Sequence, residues 1–284
     1  MDRLIHYNGR IVDAAEGRVP PTAAGVLYGW GVFTTMRIYD GEVFALDRHW
    51  ERLLRDSEKA RVPLPLDIPE LKRAIDELIS INSIHQGRVR ITVLRGDAGG
   101  WRVEPGRETE VMIFTSAEQP RRKRDLTLTL SPYRMLSSGP LAGVKCTAML
   151  DNLLAYEEAR SRAFAEAIML NERGEMMGAT AANLFWVEGD ELFTPSQATG
   201  CIAGVTRGMV CRIARKMGIH LVEGGFPVQR LLDASEVFLT STAREIASVA
   251  SFDIKQYDRK QARVTRHINR EFQKLVRNAG ISGQ

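Results

Sequence analysis

Cysteine is scarce in this 284-residue chain: Cys146, Cys201 and Cys211 are an odd three, without a CxxC or Cys/His spacing. That argues against a disulfide framework and against a zinc site, and it fits a reducing compartment. No apolar run approaches the roughly 18 residues that a membrane-spanning helix needs. The opening Met1-Asp2-Arg3-Leu4 also lacks the apolar core of a secretory leader, so a soluble, cytoplasmic protein is expected. Charge is nearly balanced, with a net +4 and a pI near 9.0. Such a mild excess suits an anionic ligand at least as well as a nucleic acid. The one basic run, Arg121-Arg122-Lys123-Arg124, has no interleaved aromatics and reads as a solvated linker, with no nucleic-acid partner. Internal repeats and low-complexity segments are missing too.

What the chain does have is ordinary globular material, 44% apolar, in a length that splits naturally into two domains. The first half reads as α+β. A hairpin turns at Asn8-Gly9 and a second strand pair turns at Asp40-Gly41. Asp47 to Ala60 reads as a helix with Trp50, Leu53 and Leu54 on its apolar face and Arg48, Arg52, Arg55 and Lys59 making it basic. A second helix starts near Asp67, with Pro69 in its first turn, where helices accept proline. Arg88 to Leu94 and Val111 to Thr115 read as strands around a glycine-rich loop, Gly96 to Gly106. The expected division is a small N-terminal α+β domain over residues 1–117, a linker over 118–124 and a larger C-terminal domain over 125–284.

The second domain is organised around Gly143 to Arg160. An alternating strand, Leu126 to Leu130, precedes it. A helix follows, in which Leu150, Leu153, Leu154 and Ala159 are spaced to form one buried face. Lys145 sits at this strand-to-helix junction between Val144 and Cys146, with no acidic residue within five positions. A cation near a helix N-terminus opposes the macrodipole, and an apolar setting disfavours its charge as well. Both would lower its pKa toward the partly neutral state that Schiff-base chemistry requires. A lysine snorkelling from a surface loop fits the same residues.

Two further segments suit an oxyanion. Gly204-Val205-Thr206-Arg207 opens a helix with free backbone N–H groups and a hydroxyl where the dipole favours negative charge. Thr240-Ser241-Thr242 places hydroxyls at a strand end. With the junction lysine and a basic helix, they describe a site for a cofactor bearing both an aldehyde and a phosphate, and pyridoxal phosphate is the obvious candidate. These residues alone do not choose Arg52 over Arg48 or Arg55 as a phosphate partner.

At this level the chain resembles the fold-type IV pyridoxal-phosphate enzymes. That group holds branched-chain aminotransferases, D-amino-acid aminotransferases and aminodeoxychorismate lyases. The likeness runs from Tyr7-Asn8-Gly9 to the last helix, through Leu27-Tyr28-Gly29-Trp30-Gly31-Val32-Phe33, Arg52-Leu53, Arg95-Gly96, Leu141 to Lys145, Asn183-Leu184-Phe185, Gly204 to Arg207 and Thr240 to Ala243. Phe33-Thr34-Thr35, Leu130-Ser131-Pro132, Leu141-Ala142-Gly143 and Ala181 to Trp186 look closest to aminodeoxychorismate lyase. The resemblance implies a two-domain α+β or α/β fold like that of D-amino-acid aminotransferase, and a homodimer. It also implies that Lys145 forms the Schiff base with the cofactor and then shuttles protons. Arg52 would clamp the cofactor phosphate, with Gly204, Val205, Thr206, Ser241 and Thr242 completing the cup. Arg95, and after it Arg90, would hold the carboxylate of a small amino or carboxylate substrate, with Tyr28 nearby. No metal is implied.

Three positions depart from the family pattern. Where its members place a glutamate five residues before the Asn of Asn-Leu-Phe, to hold a proton on the pyridine nitrogen, this chain has Gly178. Ala148 replaces an asparagine common in the lyases, and Trp30 replaces the aspartate of Gly-Asp-Gly. Losing the carboxylate weakens the cofactor as an electron sink. That penalises transamination more than an elimination that expels pyruvate and gains aromaticity. The expected activity is therefore release of 4-aminobenzoate and pyruvate from aminodeoxychorismate, a step of folate synthesis. An aminotransferase for branched-chain or D-amino acids and a non-catalytic relative are the alternatives.

Overall fold

The computed structural model describes residues 3–96, 109–118 and 126–281. Most of the expected Gly96–Gly106 loop, and the expected linker beyond residue 118, lie outside the described residues. Backbone contacts divide the chain into two units. The first holds the described residues of Met1–Pro120 and Val276–Gln284 together with Val144–Ala148; the second holds those of Arg121–Gly143 and Met149–Leu275.

In the first unit, β1 (Leu4–Tyr7) and β2 (Arg10–Asp13) form the expected hairpin. Its turn residues Asn8 and Gly9 both take positive φ, 49° and 85°, the requirement of a tight turn that matches strand twist. After a short α1 (Ala24–Leu27) come β3 (Gly31–Tyr39) and β4 (Glu42–Val43), then α2 (Leu46–Ala60) and α3 (Ile68–Ile81). β5 (Gly87–Arg95) and β6 (Thr109–Ala117) complete a six-stranded sheet in the order β2-β1-β6-β5-β3-β4. Asp67 caps α3 in a reciprocal box with Glu70, satisfying two backbone donors that the helix leaves free. The core beneath joins Val32, Met36 and Ile38 of β3 to Leu53 of α2, Ile75 and Leu78 of α3, and Ile91 of β5. On α2 the buried face differs from expectation. Leu54 is exposed, whereas His49, Arg52 and Asp56 are buried beside Leu53. A polar stripe therefore shares the inner side of this helix.

A second difference concerns the division of the chain. Val144–Ala148, expected within the C-terminal domain, belongs to the first unit. Val144 and Cys146 are buried in the β3–β5 core. The backbone follows the start of β3: Cys146 bridges Val32, Phe33 N–H donates to the Lys145 carbonyl, and Thr147 N–H donates to Gly31. Burying Val144 alone is worth roughly 1.5–3 kcal/mol, and the paired backbone groups fix the register.

The second unit has two five-stranded sheets. One runs β16-β15-β7-β8-β9, built from β7 (Thr127–Met135), β8 (Glu166–Asn171), β9 (Met176–Ala179), β15 (Ser251–Phe252) and β16 (Lys255–Gln256). The other runs β12-β11-β10-β13-β14, from β10 (Asn183–Glu188), β11 (Glu191–Pro195), β12 (Leu221–Gly224), β13 (Glu236–Ser241) and β14 (Glu245–Ser248). The helices are α4 (Leu150–Ser161), α5 (Val205–Lys216), the short α6 (Arg230–Asp233) and α7 (Arg263–Ile281), the last belonging to this unit only as far as Leu275. Strands β7 and β8 run parallel across the α4 crossover, so the architecture is mixed α/β.

The leucines of α4 are a correction. Leu150, Leu153 and Leu154 are 66%, 57% and 49% exposed, and the buried side is Ala155 and Ala159. Helix α4 packs against β7 and β8, and small alanines let it approach them closely. The apolar stripe that the spacing defines faces outward instead. Among the described residues no helix is long and apolar enough to cross a membrane.

Candidate active site

Lys145 lies five residues before α4 begins, in the short stretch paired with β3. The helix dipole expected to act on it is therefore not its main influence. Burial is the first cause that brings its pKa down to about 7, the positive charges of Arg52 and Arg90 add to it, and Asp56 opposes them. The Lys145 Nζ stands 4.1 Å from the centre of the Phe33 ring, and Arg90 lies over the same ring at 3.7 Å. These contacts place two cations at one aromatic side chain of β3.

Helix α2 supplies the other wall. Its buried stripe presents His49, Arg52 and Asp56, one, two and three turns along a single face. Asp56 Oδ2 accepts the Lys145 backbone N–H at 3.2 Å and so pins the lysine segment to α2. Arg52 donates to Thr34 Oγ1 at 2.7 Å, and that hydroxyl is 2.8 Å from His49 Nδ1. The Arg52 Nε is buried with no hydrogen-bond partner, and burial draws this guanidinium down to about 10. Burial, then Arg52 and Lys145, holds the His49 imidazole well below its ordinary pKa, so it is neutral. Around Lys145 the charges of Arg52 and Arg90 thus outnumber that of Asp56, which also pairs with Arg55 at 2.9 Å, a surplus that calls for an anion.

The second unit holds the residues expected to form an anion cup. Gly204 is the N-cap of α5, which has no side-chain cap and no acidic residue in its first turn. An added Cβ at Gly204 would lie 2.0 Å from Asn183 Oδ1, so glycine is required for the loop to close on β10. Thr206 is buried at the start of the helix. Ser241 ends β13, and its hydroxyl accepts the Arg244 N–H at 3.1 Å; Thr242 follows it. Thr240, paired across the sheet with Asn183, buries a hydroxyl that has no partner.

Not every expected substrate residue joins Lys145. Arg90 does, through Phe33. Arg95 instead lies over Trp30 at 5.5 Å and donates to the Arg61 carbonyl at 3.1 Å. Trp30 is a brace here, its indole N–H bonded to the Ala60 carbonyl at 2.7 Å. Tyr28, at the end of α1, is 54% exposed. Thr34, His49 and Asp56 were not singled out from sequence. The signal was available, because positions 49, 52 and 56 repeat at helical spacing around Arg52.

Gly178 sits on β9 at φ +141°, and a Cβ there would lie 2.8 Å from the Ala182 carbonyl. A side chain at this position would therefore be strained and would force the Ala182 carbonyl to shift. Glu175 is committed elsewhere, accepting from Arg173 at 2.6 Å and from Asn171 at 2.8 Å.

Residues 31–252 match the family model for class IV amino-transferases. The chain belongs to the class IV aminotransferase family. It is similar to a putative branched-chain-amino-acid aminotransferase of Methanocaldococcus jannaschii, 30% identical with 98% of both chains covered. It is also similar to the aminodeoxychorismate lyase of Bacillus subtilis, 29% identical over 97% of this chain and 95% of the relative. Among solved structures, the branched-chain aminotransferase of Escherichia coli superposes with a TM-score of 0.91 at 28% identity, covering 97% and 95% of the two chains. The family depends on pyridoxal phosphate, and this member of it is a pyridoxal-phosphate-dependent enzyme.

Two outcomes follow. The rate at which acetic anhydride labels Lys145 in the cofactor-free protein, read by peptide mass spectrometry, should level off just above pH 7. Asp56→Asn removes the larger of the two charges that raise this pKa, Asp56 and Cys146, so it should shift the plateau to lower pH; an unshifted plateau contradicts the assignment. Gly178→Ala should cost about 1–3 kcal/mol in denaturant unfolding, and Gly178→Glu no less.

Proposed function

We propose that this enzyme is a pyridoxal-phosphate lyase that releases 4-aminobenzoate and pyruvate from aminodeoxychorismate. The observation that carries the reading is Gly178, which has no carboxylate to hold a proton on the cofactor's ring nitrogen and whose backbone conformation would strain any side chain placed there. The other features fit the cofactor: an amine poised near neutrality for its aldehyde, and an unpartnered Arg52 Nε with an uncapped α5 terminus for its phosphate.

On this reading Lys145 holds the cofactor, and Arg52, Gly204, Val205, Thr206, Ser241 and Thr242 hold its phosphate. The bound cofactor supplies an electron sink conjugated to the substrate nitrogen. With a pKa near 7 the Lys145 amine can take a proton from carbon and return it to product at the same pH. The half-buried Arg90, stacked on Phe33, holds a substrate carboxylate with its planar fork. Arg95 and Tyr28 contribute at the entrance. Elimination to an aromatic product draws part of its driving force from aromaticity, so it tolerates the weaker sink that Gly178 leaves.

A branched-chain or D-amino-acid aminotransferase is the second reading, favoured by the near full-length likeness to enzymes so described. Product analysis separates the two. The loaded enzyme should convert aminodeoxychorismate to 4-aminobenzoate and pyruvate, and Lys145→Ala should abolish turnover. Robust amine transfer between amino acids and keto acids, without that conversion, would reverse the order of the readings.

We further propose a cytoplasmic homodimer. Free, buried cysteines suit the compartment. The outward stripe of Leu150, Leu153 and Leu154 suits a second copy. Light scattering should give a dimer mass for the native protein and a monomer mass for the Leu153→Glu/Leu154→Glu variant. A native monomer would dismiss the dimer.

A further inference from the structure

We infer that His49 is a positioning residue that acts through Thr34 to aim the Arg52 guanidinium at a phosphate group. The inference rests on the reading that Arg52 is a phosphate ligand. Its own support is the geometry of three buried side chains on α2 and β3.

A guanidinium can only donate hydrogen bonds. Arg52 Nη2 donates to Thr34 Oγ1 at 2.7 Å and also approaches His49 Nδ1 at 3.5 Å. The Thr34 hydroxyl, having accepted from Arg52, has its single hydrogen left for His49 Nδ1 at 2.8 Å. The ring nitrogen facing these two groups is therefore an acceptor, and the ring proton resides on Nε2. The order is Arg52 to Thr34 to His49, with every donor pointing the same way. Such a directed chain, out of contact with water, holds one edge of the guanidinium fixed. The unpartnered Nε lies elsewhere on the same rigid plane, so fixing Nη2 also fixes the direction in which Nε can donate. His49 is 2% exposed and Thr34 1%, so neither has a direct surface role. Protonated, the imidazole would turn a donor toward Arg52 and add a cation beside Lys145. Neutrality is therefore part of the arrangement, and Arg52 and Lys145 are the charges that enforce it.

The probe is inorganic phosphate, titrated calorimetrically into full-length, cofactor-free protein. Arg52→Met should abolish the binding. His49→Leu and Thr34→Val should each weaken it about tenfold, the scale of a lost hydrogen bond to a charged group. The double variant should be no weaker than the worse single one, because both break one chain. His49→Asn, whose amide oxygen can occupy the Nδ1 position, should stay within about threefold of the native protein by retaining that acceptor. Loss of a merely space-filling histidine would not be rescued in this way. Nitrogen-15 NMR of the native protein should show Nδ1 unprotonated.

If His49→Leu binds phosphate like the native protein while Arg52→Met does not, the role of His49 is wrong and Arg52 keeps its own. A protonated Nδ1, additive losses, or a His49→Asn as weak as His49→Leu would overturn it equally. Native-like binding by Arg52→Met would sink both this inference and the phosphate reading beneath it. Should His49→Leu fail to fold, Thr34→Val alone decides: undiminished phosphate binding in that variant refutes the chain.

Discussion

Removing an ammonium from water and setting guanidinium groups beside it is unfavourable, and the centre of this molecule depends on that arrangement being held. Left to relax, Lys145 would swing to solvent and recover its charge. Three constraints prevent it. The strip around it is paired to the start of β3, its two apolar neighbours lie in a packed core, and Asp56 grips its backbone N–H from α2. The strain on the amine is thus sustained by interactions of the backbone and of flanking side chains, none of which involves the amine itself. That separation lets the nitrogen be reactive without making the fold around it unstable.

The same economy governs the second unit. On the proposed reading its anion cup draws on what is left unsatisfied: an uncapped helix start, a buried threonine hydroxyl and a glycine whose Cβ would strike the Asn183 side chain. Unpaired polar groups in a packed interior are costly unless a ligand completes them. Gly178 works in the opposite sense. There the position has no side chain to offer, and any that replaced glycine would be strained against the Ala182 carbonyl. On the proposed reading, a cofactor held by its phosphate and by an amine would stand free at its ring nitrogen.

Much of this was legible in the sequence, for identifiable reasons. The hairpin at Asn8-Gly9, the helix start near Asp67 and the α5 start at Gly204 are local signals, written in adjacent residues, and they hold. Lys145 was legible as a perturbed amine, but for a partly mistaken reason. Its first perturber, burial, is readable from its apolar neighbours, but the next two, Arg52 and Arg90, are far away in sequence, and the helix dipole read in their place is not a main influence. The α4 leucines misled because periodicity reveals that a helix has an apolar side without revealing what will cover it. The helical spacing around Arg52 and the Phe33-Thr34-Thr35 motif mark His49 and Thr34 separately, but neither signal joins the two. Their meaning exists only once β3 lies against α2.

The excursion of Val144–Ala148 into the first unit also bears on how the molecule is made. A chain emerging from the ribosome completes all six strands of its first sheet at about residue 117. It nonetheless lacks the strip that covers the start of β3 until a further stretch has been synthesised. Val32 and its neighbours stay open to water during that interval, and the early sheet is a receptacle awaiting a late segment. Val144 and Cys146 close this gap, and Lys145 arrives between them. Covering the start of β3 and installing the amine are therefore one event, although the first unit also takes in described residues of Val276–Gln284, which are made later still.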